Sequence, residues 1–216
     1  KVDQYCTWYE ERIRQMGGIG FFLGGIGPDG HIGFNVKGSD HFSTTRLTAT
    51  NYETQAAAAS DLGGIEIARN RLVITIGLDT ITFNPETVAI IIAAGEAKAK
   101  VIQAAVEQEA SNAYPATVLH KLPHARFFIT KGAGKLLAER RFEDVKNMDP
   151  LPDKEMDRIV IDLALENHKR LDRLEQQDFD GNRSARWVSE KTGLPAGEIA
   201  GQVAERLHRK ILDGIR

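Results

Sequence analysis

Through the first two thirds of the chain the apolar positions gather in short continuous runs. Ile19 to Leu23, Leu72 to Ile76, Val88 to Ala94 and Arg126 to Thr130 read as strands, and the two middle runs carry the unbroken apolar pattern of strands buried on both faces. Helix-spaced patterns lie between them. Val2 to Gln15 sets Tyr5, Trp8, Tyr9, Ile13 and Met16 on one side, Ala56 to Ser60 predicts a helix ending at Gly63-Gly64, Asp79 to Ile81 a helical turn, and Glu96 to Glu109 a further helix. A short extended piece is expected near Thr44 to Thr48. Strands alternating with helices predict an α/β fold in which a parallel sheet carries helices on both faces. Ligands of such sheets gather at the carboxyl ends of the strands, where the loop after Leu23, Gly77 and Gly95 are expected to fall.

Beyond about Arg140 the pattern changes. Met148-Asp149-Pro150-Leu151-Pro152 reads as a linker, and the charged, helical sequence after it carries two apolar stripes. One holds Met156, Ile159, Val160, Leu163, Leu171 and Leu174; the other holds Ile199, Val203, Leu207, Ile211 and Ile215 at i+4 spacing, with Asp180-Gly181-Asn182 between the two. Stripes of this kind are packing faces. The expected organisation is an α/β domain over residues 1–145 and a helical extension over residues 146–216.

Composition narrows the function. With 42% hydrophobic and 27% charged residues and a net charge of −2, the chain gives no reason to expect nucleic acid or an anionic membrane as partner. The longest apolar run is far too short to span a bilayer, and no signal peptide is visible. Cys6 stands alone, which excludes an intrachain disulfide and fits a reducing, cytoplasmic setting. The chain opens inside a helix-like pattern and reads as part of a longer protein.

The most informative stretch runs from Leu23 to Asn35, where five glycines, Asp29 and His31 follow directly on a strand. Glycines let the backbone crowd against a ligand, and an aspartate two residues before a histidine can orient or charge the ring. One reading is a glycine-rich turn that Asp29 and His31 merely cap and fill. Another is the dinucleotide fingerprint, since Gly25, Gly27 and Gly30 match G-x-G-x-x-G. That fingerprint needs a helix to open at its third glycine, whereas Gly33, Asn35, Gly38 and Ser39 argue against one.

Gly-x-Gly-x-Asp-Gly-His-Ile-Gly-Phe-Asn, a Gly-Ser turn and Thr44-Thr45-Arg46 together resemble the signature of the glucosamine-6-phosphate deaminase/isomerase family. The likeness extends from about Tyr5 to about Arg140, through Thr75 to Ile81 and Gly95-Glu96-Ala97-Lys98-Ala99. It implies a three-layer αβα Rossmann-like sandwich, of which this chain holds the C-terminal part. It also implies conversion of glucosamine 6-phosphate to fructose 6-phosphate and ammonia, without metal or organic cofactor. His31 matches the histidine that opens the sugar ring by moving a proton between O5 and the C1 hydroxyl, and Asp29 matches its partner. Lys98 matches a phosphate-binding lysine, the backbone at Gly25, Gly27 and Gly30 would cradle the substrate, and Arg46 would contact an anion or a neighbouring subunit. The implied partner is a small sugar phosphate, and longer relatives carry a deacetylase-like domain beyond such a tail; the sheet edge that absent strands would pair invites association with further copies of the chain.

In two places the chain departs from the family pattern. A glutamate commonly follows the Phe-Asn pair, but here Val36 does, and an aliphatic side chain can neither accept a proton nor hold an imidazolium. Either Asp29 alone sets the ring, or a carboxylate such as Asp40 substitutes, or catalysis is changed. The family also uses an arginine from the helix after the signature, and Gln55 to Ser60 has none; Arg69 and Arg71 are the nearest substitutes. The aspartate that takes the C2 proton is expected from outside this stretch, which predicts an inactive isolated chain. Two further readings stay open: the 6-phosphogluconolactonase-type hydrolysis of a sugar-phosphate lactone, and a sugar-phosphate binding protein without turnover. His41, His120, His124, His168 and His208 show no metal-ligand spacing.

Overall fold

The apolar runs fold as strands in a computed structural model that describes residues 1–57, 59–60 and 63–214. Two units emerge, Lys1–Leu137 and Ala138–Arg216. The division falls ahead of the helix at residues 138–146, which the expected boundary had left with the α/β part.

In the first unit β1 (Phe21–Gly25), β4 (Val88–Ala93) and β5 (Arg126–Ile129) form a parallel sheet in the order β1-β4-β5. Phe21 stands opposite Val88, Gly25 opposite Ile92, and Ile92 opposite Phe128. Strand β2 (Arg46–Thr48) pairs instead with β3 (Val73–Thr75) as a separate antiparallel ladder. Gly77 therefore does not follow a strand of the parallel sheet, contrary to expectation: β3 is a three-residue piece whose hydrogen bonds go to β2.

One face of the parallel sheet holds Phe22, Ala89, Ile91, Phe127 and Ile129. It packs with α4 (Leu78–Thr82), α5 (Ala99–Glu107) and a 3-10 helix, Pro115–Lys121, around buried Ile81, Ile91, Ile102 and Leu119. Each aliphatic side chain sealed in this way contributes about 1.5–3 kcal/mol relative to exposure. The other face exposes Phe21 (58%), Leu23 (57%), Ile92 (55%) and Phe128 (59%). The unbroken apolar pattern of β4 had predicted burial on both sides, yet Val88 and Ile92 face out while Ala89, Ile91 and Ala93 face in.

Helix α1 (Val2–Gln15) also departs from its apolar pattern. Tyr5, Trp8, Tyr9 and Met16 are exposed, and Cys6 and Glu10 are the buried positions. The reason is polar. Glu10 Oε1 accepts from the Thr45 amide at 2.8 Å and from Thr80 Oγ1 at 2.5 Å, and Arg14 reaches Asp79 Oδ2 at 2.9 Å. These bonds fix which side of the helix turns inward. The expected helix at Ala56 to Ser60 forms earlier, as α2 (Tyr52–Ala57), followed by α3 (Ile65–Asn70). Its residue 58 lies outside the described residues.

The second unit is helical: α6 (Ala138–Lys146), α7 (Asp153–Glu166), α8 (Gln176–Gly181), α9 (Arg183–Thr192) and α10 (Ala196–Gly214). Met156, Ile159, Val160, Leu163, Phe179, Val188, Ile199 and Val203 form its core. The first apolar stripe is interrupted, because α7 ends at Glu166 and Leu171 lies on a separate short turn, though Leu174 joins the same core. On α10 Ile199 and Val203 are buried and Ile211 is exposed; Ile215 lies outside the described residues. Asn182 caps α9 by accepting from the amides of Ser184 and Ala185, so the Asp180-Gly181-Asn182 break separates α8 from α9. Buried Asp157 on α7 accepts from Arg206 Nε at 2.7 Å and Lys210 Nζ at 3.0 Å, tying α7 to α10.

Candidate active site

The loop that leaves the carboxyl end of β1 doubles back on itself. Gly27 N–H donates to the His31 carbonyl at 2.9 Å, and Gly30 N–H donates to the Gly27 carbonyl at 3.1 Å. Gly30 takes the left-handed conformation this requires, at φ +83°. The amides of Gly27 and Gly30 are thus consumed within the loop, and Gly25 is the last residue of β1. What the loop needs from Gly27 is space, since a β-carbon there would stand 1.9 Å from Cε1 and 2.1 Å from Nδ1 of His31.

Folding the loop in this way brings His31 Nδ1 to 2.5 Å from Asp29 Oδ1. Asp29 Oδ2 accepts from the Lys37 amide at 3.0 Å and from Asn51 Nδ2 at 2.6 Å. Burial pushes the Asp29 carboxyl up, but the hydrogen bonds from His31, Lys37 and Asn51 outweigh it and hold the group well below the usual carboxylate range. The ionised carboxylate is an acceptor only. Nδ1 therefore carries the hydrogen between the two residues, and in the neutral ring Nε2 presents the lone pair. This is the arrangement of a general base whose second nitrogen is fixed by a carboxylate.

Lys98 stands where α5 begins, beyond the carboxyl end of β4, and its Nζ donates to the Ile26 carbonyl at 2.8 Å. Burial lowers the pKa of its ammonium, and the charge of Asp29 opposes that shift. The cation thus sits within electrostatic reach of the dyad.

Arg46 is placed differently. Its guanidinium donates to Asn35 Oδ1 at 2.8 Å and Ser39 Oγ at 3.1 Å, and burial lowers its pKa. Asn35 is fully buried, with Nδ2 donating to the carbonyls of Ile32 and Ile76. Arg46 therefore braces the segment that follows the loop, and its hydrogen bonds go to that segment and to the Thr44 carbonyl rather than to Asp29 or His31. With Val36 it borders a cavity of about 490 Å³ that Lys37, Ser39, Asp40 and Ser43 also line.

Of the substitutes considered for the absent glutamate, Asp40 is exposed and its Oδ1 accepts from the Phe42 amide, which ties it into its own turn. Arg69 is exposed and pairs with Glu66. His120 Nε2 meets the Ala105 carbonyl and His124 lies 3.7 Å from Glu86, so the polar partners of both are other than Asp29 and His31. Among the described residues no group of three or more His, Cys, Asp or Glu could hold a metal ion, and no helix is long and apolar enough to cross a membrane.

Two residues in contact with the dyad escaped the sequence reading. Besides Asn51, Thr54 brings Oγ1 to 3.1 Å from His31 Nδ1. The legible signal was Asn51 itself, a preferred cap immediately before helix α2.

No family model matches the chain. Individual relatives do. It is 35% identical over 142 residues to glucosamine-6-phosphate deaminase 2 of Bacillus subtilis (strain 168), covering 66% of this chain and 57% of that protein. It is 37% identical over 141 residues to the glucosamine-6-phosphate deaminase of Corynebacterium kroppenstedtii, covering 65% and 54%. In structure the chain is similar to a monomeric glucosamine-6-phosphate deaminase described as a missing link of the NagB superfamily, with a TM-score of 0.57, 28% identity, and coverage of 63% of this chain and 55% of that one. The chain spans about half the length of the curated relatives it matches. Over about two thirds of its length this chain is similar, in sequence and in fold, to glucosamine-6-phosphate deaminases.

Proposed function

We propose that residues 1–137 carry the ring-opening half of a glucosamine-6-phosphate deaminase site. The observation that carries the reading is the His31–Asp29 pair, 2.5 Å apart in the loop after β1, with Lys98 anchored to the same loop. In this reading Nε2 of His31 takes a proton from the C1 hydroxyl and returns it to O5, while Asp29 compensates the imidazolium. Ring opening exposes the aldehyde; transfer of the C2 proton then gives an enolamine, whose hydrolysis releases ammonia and leaves fructose 6-phosphate. Lys98 contacts the phosphate, since an ammonium at the start of α5 adds its charge to the helix end. Gly25, Gly27 and Gly30 shape the cradle, and Arg46 orders its far wall.

Asp29 is committed to His31, so the C2 proton needs a different carboxylate. The family resemblance puts that carboxylate outside residues 1–216, which alone are therefore expected to bind glucosamine 6-phosphate without releasing ammonia. The occupant of the site is a small molecule, in a reducing, cytoplasmic setting. For residues 1–216 taken alone, the edge of β1 that no described strand pairs and the exposed apolar sheet face favour self-association.

The test pairs calorimetric titration of glucosamine 6-phosphate with an ammonia assay on the whole protein. Ammonia release that is lost in His31→Asn, together with weaker binding in Lys98→Met, supports the reading. Absence of both binding and turnover sinks it. Val36, unable to take part in a proton relay, favours a second reading in which the site binds the sugar phosphate without turnover. Tight binding with no ammonia from the whole protein would select that one.

A further inference from the structure

Two of the groups that close on the dyad come from the start of α2 rather than from the glycine loop. Asn51 Nδ2 donates to Asp29 Oδ2 at 2.6 Å, and Asn51 Oδ1 accepts the Thr54 amide at 3.0 Å. One carboxamide thus holds the Asp29 carboxylate and caps the helix at once. Thr54, buried to 1% exposure, then sets its hydroxyl oxygen 3.1 Å from His31 Nδ1. Asp29, His31, Thr54 and Asn51 form a closed circuit in which each residue is held by the two on either side. Local chain geometry alone does not bring this about, because Asn51 is 22 residues from Asp29 and Thr54 is 23 from His31.

We propose that Asn51 and Thr54 are positioning residues, which lock the proton of His31 on Nδ1 and so keep Nε2 free for the substrate only while the first turn of α2 is folded against the loop. Without Asn51 the second oxygen of Asp29 keeps only the Lys37 amide, and the carboxylate can turn about its own axis. Without the Thr54 hydroxyl, Nδ1–H loses its second acceptor beside a largely buried carboxylate. In either case the ring is less firmly held, and the tautomer with the proton on Nε2, useless as a base there, gains population. The catalytic consequence rests on the proposed ring-opening role of His31; the tautomer itself does not.

The experiment is nitrogen NMR of the His31 ring in the 216-residue chain, with the ring neutral at alkaline pH. The native protein should show a single tautomer protonated on Nδ1. Thr54→Val, and Asn51→Ser, which keeps a capping oxygen, should each show both tautomers. Thr54→Ser should restore one, and the double variant should be no worse than either single one, as befits a closed circuit. A single Nδ1-protonated tautomer in every variant overturns the proposal, as does a mixture in the native protein. Backbone amide spectra taken alongside confirm that each variant remains folded. In the whole protein kcat should fall by up to about 100-fold with KM little changed. If the tautomers respond but the native whole protein releases no ammonia, the functional reading fails and the positioning stands. If the native protein is active and the tautomers are indifferent, the reverse holds.

Discussion

The imidazole of His31 occupies the place that a β-carbon of residue 27 would take: the built position is 1.9 Å from Cε1 and 2.3 Å from Nε2. Gly27 has an ordinary backbone conformation, so alanine is excluded by the ring rather than by φ. Gly27→Ala is expected to drive the ring off Asp29 and to cost about 1–3 kcal/mol of stability as overpacking. Gly20→Ala, which meets nothing within 4 Å, should stay within about 0.5 kcal/mol of native. Urea unfolding of both variants, with the His31 ring signals compared, checks this; equal behaviour would contradict it.

Asp29 makes stability depend on acid in a definite direction. Its folded pKa lies below its unfolded one, so between the two the unfolded chain binds more protons. The stabilisation is full above the usual carboxylate pKa of about 3.9 and is lost as pH falls through the folded value. The stability gap between native protein and Asp29→Asn should therefore narrow steadily as pH is lowered from about 4. Urea midpoints of both proteins over that range measure it, and a constant gap would refute the assignment.

Asn35 spends both amide hydrogens on the carbonyls of Ile32 and Ile76 and its oxygen on Arg46. Asn35→Asp keeps the shape and the contact with Arg46 but sets a carboxylate oxygen against two buried carbonyls. A loss of about 1–3 kcal/mol is expected. Arg46→Lys should lose less, because one amine can still reach Asn35 or Ser39 but not both in the present fork. Thermal melts that rank the two variants the other way would show that Arg46, rather than Asn35, holds this segment.

On the open face of the sheet, Leu23 and Phe128 are already more than half exposed. Leu23→Thr with Phe128→Thr should change stability by less than about 1 kcal/mol and sharply reduce self-association, because threonine suits a strand and removes the apolar patch. Light scattering and melting temperature together decide. A loss on the scale of a core truncation, about 2–5 kcal/mol, would mean that these side chains are covered in solution.

Much of the α/β framework is legible in the amino-acid sequence. The runs at Val88 to Ala94 and Arg126 to Thr130 became β4 and β5 almost residue for residue, and Val2 to Gln15 became α1 with the same ends. These elements are written in local apolar continuity and helix spacing. The pairing of Asp29 with His31 was equally readable, since residues two apart in a glycine-rich turn meet with little help from the rest of the chain.

What the chain could not disclose are the choices made over long separations. The outward turn of Tyr5, Trp8 and Tyr9 follows from Glu10 finding Thr45 and Thr80, 35 and 70 residues away. The departure of β3 from the parallel sheet follows from its ladder with β2. Linear order alone determined a parallel α/β framework, a helical extension and a loop that sets a carboxylate beside an imidazole, because apolar periodicity and glycine act over a few residues. Only the tertiary structure decided which helix face turns inward, which amides the loop consumes, and that Asn51 and Thr54 close on the dyad. Those outcomes depend on hydrogen bonds between residues far apart in the chain, whose partners no local pattern names.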